Sequence, residues 1–322
     1  MKKTKNTFTG KLTLYGFALT VVFGLLTGSG AAYGKNEIHG KVARKVSELK
    51  EKGVFSKESR VFSVAQSDNT EALRETVRNF TLLKLKSEVS DIINSKPDYL
   101  KLTVPFNNGL NQFTLLLYKH DISPNGFTLL TSDGLPHTPD NSIVHYRGSI
   151  ENDGQSIVAV SFSSTEVMGM ISNANGNYVL GKIENNTESL YMIYNDKDLI
   201  PRNDYECATN DVPQGYTPKN EPPSTLSVNC VNWYWETDYD IYLGKGSSVS
   251  NVNSYMQGIF NEVSTLYDND GMNITLLTIF IWSTVDPYTG PSTNNYLDQF
   301  GSYRTSFNGD LQPCLAMQEE DV

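Results

Sequence analysis

Residues 251–282 constrain this chain more than any other stretch. Val252, Tyr255, Met256, Ile259, Phe260, Val263, Leu266 and Tyr267 recur at steps of three and four. That spacing lays one apolar stripe along an α-helix of about five turns. Ser248 or Ser250 caps its start, and Gly271 after Asp270 is free to end it in the left-handed conformation. Residues 274–282 follow as an apolar, β-branched run, which reads as a buried strand. Upstream, residues 228–242 carry a second strand pattern around Val231, Trp233 and Trp235. Strand, long helix, strand is a βαβ unit and predicts parallel strands. A three-layer α/β domain is expected from residue 227.

Between 99 and 195 the period changes to two. Strands are expected at 99–105, 112–119, 126–131, 143–150, 156–163, 167–172, 177–183 and 189–194. Turn residues separate them: Asn107-Asn-Gly109, Pro124-Asn-Gly126, Asp133-Gly134, Asn152-Asp-Gly154 and Asn173-Ala-Asn-Gly176. Short alternating strands spaced by such turns form an antiparallel β-domain. Just before them, residues 82–95 read as a short strand and a short helix in which Val89, Ile92 and Ile93 share a face, ended by Pro97. The fold class is therefore α+β: a β-rich domain over 35–202, then the α/β part over 227–322. Residues 35–65 are charged and sparse in apolar groups, and read as a solvated or loosely attached lead.

Between the two parts, residues 203–226 hold Pro213, Pro218, Pro222 and Pro223 with Gly215. Such a segment builds no regular element and forms an exposed linker, either a passive spacer or a place where a protease cuts. At the front, Lys2, Lys3, Lys5 and Lys11 precede an apolar core over 12–26, with small residues at Ser29-Gly30-Ala31-Ala32. This is the layout of a cleaved secretory signal over 1–34, and the core is short for a membrane span. A secreted, disulfide-permissive setting is expected, with no stable membrane anchor.

The net charge of −10, from 26 basic and 36 acidic residues, argues against nucleic acid as a partner. Hydrophobic residues make up 39%, enough for packed cores. With only Cys207, Cys230 and Cys314, this is no disulfide-dense scaffold.

Four pieces in series carry a family resemblance. They are residues 251–270, residues 274–286 with Ile281-Trp282-Ser283, Leu297-Asp-Gln-Phe-Gly-Ser-Tyr-Arg304, and Asn308-Gly-Asp-Leu311. Over 229–311 they resemble the first half of an adamalysin/reprolysin catalytic domain, a metzincin-like fold of secreted zinc metalloendopeptidases. His145-Tyr-Arg-Gly148, residues 156–162, Met168-Gly-Met-Ile171 and Tyr178-Val-Leu180 resemble the prodomain of that family over 81–199. The resemblance implies zinc, a zymogen, and protein or peptide substrates for the full-length form. The family's zinc motif, His-Glu-x-x-His-x-x-Gly-x-x-His, lies downstream of the matched region and is absent from this chain.

A zinc peptidase needs two imidazoles one helical turn apart, a third ligand and a carboxylate. The histidines here are His39, His120, His137 and His145, with no pair four apart and none after residue 145. Each is read as a polar surface or turn residue, and no catalytic residue is assigned. By the resemblance, Cys207 is a candidate inhibitory zinc ligand, although the family's Pro-Lys-x-Cys-Gly setting is missing. The alternative is a free or disulfide-bonded cysteine. Asp310 stands where adamalysins commonly carry a calcium-binding aspartate. The alternative is a surface loop carboxylate, since calcium takes about six to eight oxygens. Cys230 and Cys314 are read as structural and able to pair. Glu236, Asp238 and Asp240 are read as a solvated face.

Two functional classes stay open. One is the front part of a secreted zinc endopeptidase zymogen, inactive as it stands. The other is a secreted non-catalytic binding or inhibitor-like protein that retains the scaffold.

Overall fold

The computed structural model describes residues 40–200 and 230–311 and the backbone of Cys314–Leu315, apart from residues 69, 141, 185, 187 and 290–292. The signal segment and the linker with Cys207 lie outside the described residues. In chain order the elements are α1 (Lys41–Glu51), β1 (Glu58–Ser59), β2 (Phe62–Val64), α2 (Glu71–Thr76), β3 (Phe80–Leu85), α3 (Val89–Ser95), β4 (Tyr99–Phe106) and β5 (Asn111–His120). Next come β6 (Thr128–Thr131), β7 (Val144–Ile150), β8 (Ile157–Phe162), β9 (Val167–Asn173), β10 (Gly176–Lys182) and β11 (Leu190–Asn195). The α/β part holds β12 (Cys230–Thr237), α4 (Tyr239–Gly244), α5 (Val249–Asn269), β13 (Asn273–Ile281), α6 (Thr293–Tyr303) and β14 (Cys314–Leu315).

The period-two stretch forms a ten-stranded sheet in the order β1-β4-β5-β7-β8-β9-β10-β11-β3-β2. Its pairs are antiparallel except β1 on β4. Strands β3 and β4 lie near opposite ends of the order, yet Leu83 and Leu102 enter one core with Leu115, Tyr146, Val160, Phe162 and Ile193. The sheet curls around that core, and every residue of the core lies between Val61 and Ile193. Helix α3 packs on that core with Ile92 buried in it and Val89 and Ile93 beside it, the face read from their spacing.

Over α1 the lead is not solvated. In α1, Val42, Ala43, Val46 and Leu49 are all buried, because their spacing of three and four makes one stripe that packs against β7 and α5. The lysines between them hid this stripe from a composition count.

The βαβ unit is present. Strands β12 and β13 pair in parallel, β14 adds in parallel on the far side of β12, and α5 connects the central pair. Ser248 caps α5, its hydroxyl accepting from Asn251 N at 3.3 Å. Gly271 follows the helix with φ +86°. Strand β12 stops at Thr237, where Asp238 accepts from Ile241 N at 2.9 Å and starts α4, so the strand is shorter than its pattern suggested.

Strand β6 departs most from the sequence reading. The period placed it in the antiparallel domain. It pairs instead in parallel with β13, Thr128 opposite Thr278 through Thr131 opposite Ile281. Residues 121–143 thus leave the ten-stranded sheet between the paired strands β5 and β7 and reach across as an arm. Ile122 and Leu129 of the arm are buried in the core of the α/β part, with Trp235, Val252, Met256, Phe260, Leu276 and Ile279.

Candidate functional site

Helix α5 has two buried faces of opposite chemistry. Val252, Met256 and Phe260 point into the core over β12 and β13, with Val249, Ile259 and Val263 beside them. This is the stripe expected from the spacing. The opposite side carries Asn253, Gln257, Asn261, Ser264, Thr265 and Asp268, and all six are buried too. They lie under the outer face of β7, β8 and β9. A helix side made of uncharged polar groups, with Asp268 the only charge among these six, was the signal in the sequence. A solvated helix side is normally rich in Lys and Glu.

Polar groups buried this way need partners, and most have them. Asn261 Nδ2 donates to Tyr146 O at 3.2 Å, Val160 O at 3.4 Å and Ser161 Oγ at 3.2 Å. These carbonyls fix which way the Asn261 amide points. His145 Nδ1 lies 2.9 Å from Ser161 Oγ, and His145 Nε2 lies 3.4 Å from Gln257 Oε1. Arg147 donates from Nη2 to Ser264 Oγ at 2.6 Å and pairs through Nη1 with Asp268 at 3.2 Å. Lys41 of α1 meets the same carboxylate at 2.5 Å. Arg147 Nε, Asn261 Oδ1 and Ser254 Oγ are buried without a protein partner.

His145 is therefore a buried residue of β7, 6% exposed, and not a surface group as its type suggested. Burial, aided by Arg147, holds its imidazole down at about 4. His120 stands opposite it on β5. Burial, then Arg147, His145 and Lys41, hold His120 down at about 3. Both rings are neutral at pH 7. The network suits a neutral His145: Ser161 accepts from Asn261 and gives its own proton to Nδ1, while Nε2–H faces the Gln257 oxygen. On the flank of α5, burial pushes the Glu262 carboxyl up to about 8. Glu166, also raised by burial, sits 3.5 Å from Lys245 Nζ, which meets Glu184 at 2.5 Å.

At the carboxyl end of β12, Glu236 and Asp238 are buried, at 0% and 1% exposure, which overturns the reading of a solvated face. Glu236 accepts from Trp282 Nε1 at 2.6 Å, Tyr288 OH at 2.7 Å and Arg304 Nε at 2.9 Å. The Arg304 guanidinium lies 4.5 Å from the Phe280 ring centre. One carboxylate thus ties residues 282–304 to β12. Asp310 Oδ2 accepts from Asn232 N at 2.8 Å and from Asn232 Nδ2 at 3.1 Å, clasping β12 near its start. Cys230 is a free, exposed thiol 2.8 Å from Thr275 Oγ1. Cys314 registers with Glu236, six residues along β12 from Cys230. At about 3.3 Å per residue the backbone separation is well beyond the Cα spacing of a disulfide.

Among the described residues no group of three His, Cys, Asp or Glu side chains could hold a metal ion. The described residues therefore do not fit a zinc site. Among the same residues, no helix is long and apolar enough to cross a membrane.

No family model matches the chain, and no curated protein does. Among solved structures it is similar to metalloproteinase-II from Bacteroides fragilis, at a TM-score of 0.35 and 11% identity, over 79% of this chain and 68% of that one. It is also similar to a structure described as a chaperone–substrate complex, at a TM-score of 0.27 and 14% identity, over 46% of this chain and 95% of that one. Neither likeness is close enough to assign the chain to a family.

Proposed function

We propose that this chain is the front part of a secreted zinc metalloendopeptidase precursor of the reprolysin type. The β-rich domain over 35–202 is its removable cover, and residues 227–322 open its peptidase domain. The observation that carries this reading is the two-sided helix α5. A face meant to stay buried is cheapest to build from apolar groups, because buried polar pairs contribute little net stability. A face that is covered in the precursor and wet afterwards must be polar. Asn253, Gln257, Asn261, Ser264 and Asp268 meet that requirement, while the ten-stranded sheet keeps an apolar core of its own.

In this reading residues 1–34 export the precursor, and a cut within 203–226 severs the chain between the cover and the peptidase part, the first step in removing the cover. Cys207 is the candidate thiolate that fills the open zinc position before the cut. Cys207→Ala in a form carrying the zinc motif is then expected to show activity before cleavage. A folded, silent variant would make Cys207 a bystander. Zinc, and calcium at Asp310, belong to that form. The reading is tested by sequencing the codons after Val322 in all frames. A His-Glu-x-x-His helix is expected there, and its absence would sink the proposal. The alternative reading is a secreted non-catalytic binding or inhibitor-like protein that retains the scaffold.

A further inference from the structure

The side of α5 that meets the ten-stranded sheet is mostly polar, whereas the arm makes an apolar contact with the α/β part. The arm over 121–135 places Ile122 and Leu129, 4% and 5% exposed, in the core of the α/β part. It also runs along β13 with hydrogen bonds at both ends. Leu276 N donates to Ile122 O at 3.1 Å, and Ser123 Oγ donates to Leu276 O at 2.6 Å. Beyond the turn at Gly126, β6 pairs over four residues. Ser132 N then donates to Ile281 O at 3.0 Å, and Ser132 Oγ accepts from Ser283 N and Thr284 N, each at 3.0 Å. Without the arm, β13 would present an unpaired edge with an apolar slot beside it, and such an edge is a template for another strand.

We propose that the outer edge of β13 is a strand-acceptor site and that residues 121–135 are its tethered ligand. The ligand class is an extended peptide lying parallel to β13, with aliphatic side chains where Ile122 and Leu129 stand. The arm then holds the N-terminal sheet to the α/β part after the chain between 200 and 230 is cut. This holds whether or not the α/β part belongs to a peptidase.

The test uses the full chain with a protease recognition sequence inserted within 203–226. After complete cleavage the two fragments are expected to co-elute on gel filtration, and excess synthetic 121–135 peptide to displace the N-terminal fragment. Leu129→Asp should weaken the association by about tenfold or more, since it removes a fully buried aliphatic group. Should that variant not fold, Ser123→Ala with Ser132→Ala removes arm hydrogen bonds from side chains at the sheet edge. Weaker association of that pair supports the proposal. Separation of the fragments with the arm intact would overturn it. So would failure of the peptide to compete, or unchanged association of the arm variants.

Discussion

His120 and His145 stand directly opposite each other across β5 and β7, with Arg147 two residues along from His145 and α5 packed above them. Two imidazoles and a guanidinium thus share one buried patch, with Asp268 and Lys41 at its edge. Protonating His145 would leave the Ser161 hydroxyl proton without an acceptor and add charge beside Arg147. Both rings titrate near 6.5 when unfolded, and at about 3 and 4 in place. A base with a depressed pKa binds fewer protons folded. Its contribution is therefore full above about 6.5 and is lost as pH falls through that value. Glu262 works the other way: raised to about 8, it favours the folded state increasingly as pH falls from 8 toward 4.5. Between pH 6 and 4.5 the two histidines oppose Glu262, and stability is expected to fall as pH falls. Urea unfolding across pH should show that acid limb. His145→Gln should flatten it, and Glu262→Gln should steepen it. An acid limb unchanged in His145→Gln would refute the assignment.

Gly258 faces β9 from α5. A β-carbon there would overlap Met168 Sδ and Cγ. Alanine is ordinarily the better helix residue by about 1 kcal/mol. Here Gly258→Ala should instead destabilise the chain by about 1–3 kcal/mol, the cost of overpacking. Met168→Ala should recover part of that loss in a double-mutant cycle, a coupling absent if the two residues do not touch.

Glu236 is fully enclosed with Arg304, Trp282 and Tyr288 on it. Glu236→Ala strands three donors and should cost about 3–5 kcal/mol. Glu236→Gln should cost less, since it keeps an acceptor. Denaturation followed by tryptophan fluorescence checks both values. A neutral Glu236→Ala would show that the tie to residues 282–304 carries no stability.

The purified chain is expected to cleave no protein substrate, with or without zinc, and to melt at the same temperature after chelation. The described residues bring no three metal ligands together, and no histidine pair has helical spacing. Zinc-dependent casein cleavage that survives purification to homogeneity would contradict this.

Much of the architecture was legible because it rests on periodicity. The stripe of α5, the parallel pair β12 and β13, and the alternating strands of the curled sheet all follow from spacing alone. What stayed hidden depends on partners distant in sequence. Leu129 alternates like a residue of an ordinary domain strand and Ile122 stands in the connection before it, and only the tertiary fold sends them to β13. Glu236 looks solvated until Arg304, 68 residues on, meets it. His145 looks like a surface group until α5 covers it. Cys207 lies outside the described residues, so its role rests on position alone.

The two parts are asymmetric: the core of the curled sheet is complete within 61–193, whereas the α/β core borrows Ile122 and Leu129 from the arm. Thermal melting of 36–200 and 226–322, expressed separately, measures this most directly. A sharp cooperative transition is expected for 36–200 and none for 226–322, with structure regained in 226–322 when the two are refolded together. A cooperative transition for 226–322 alone, or none for 36–200, would contradict it.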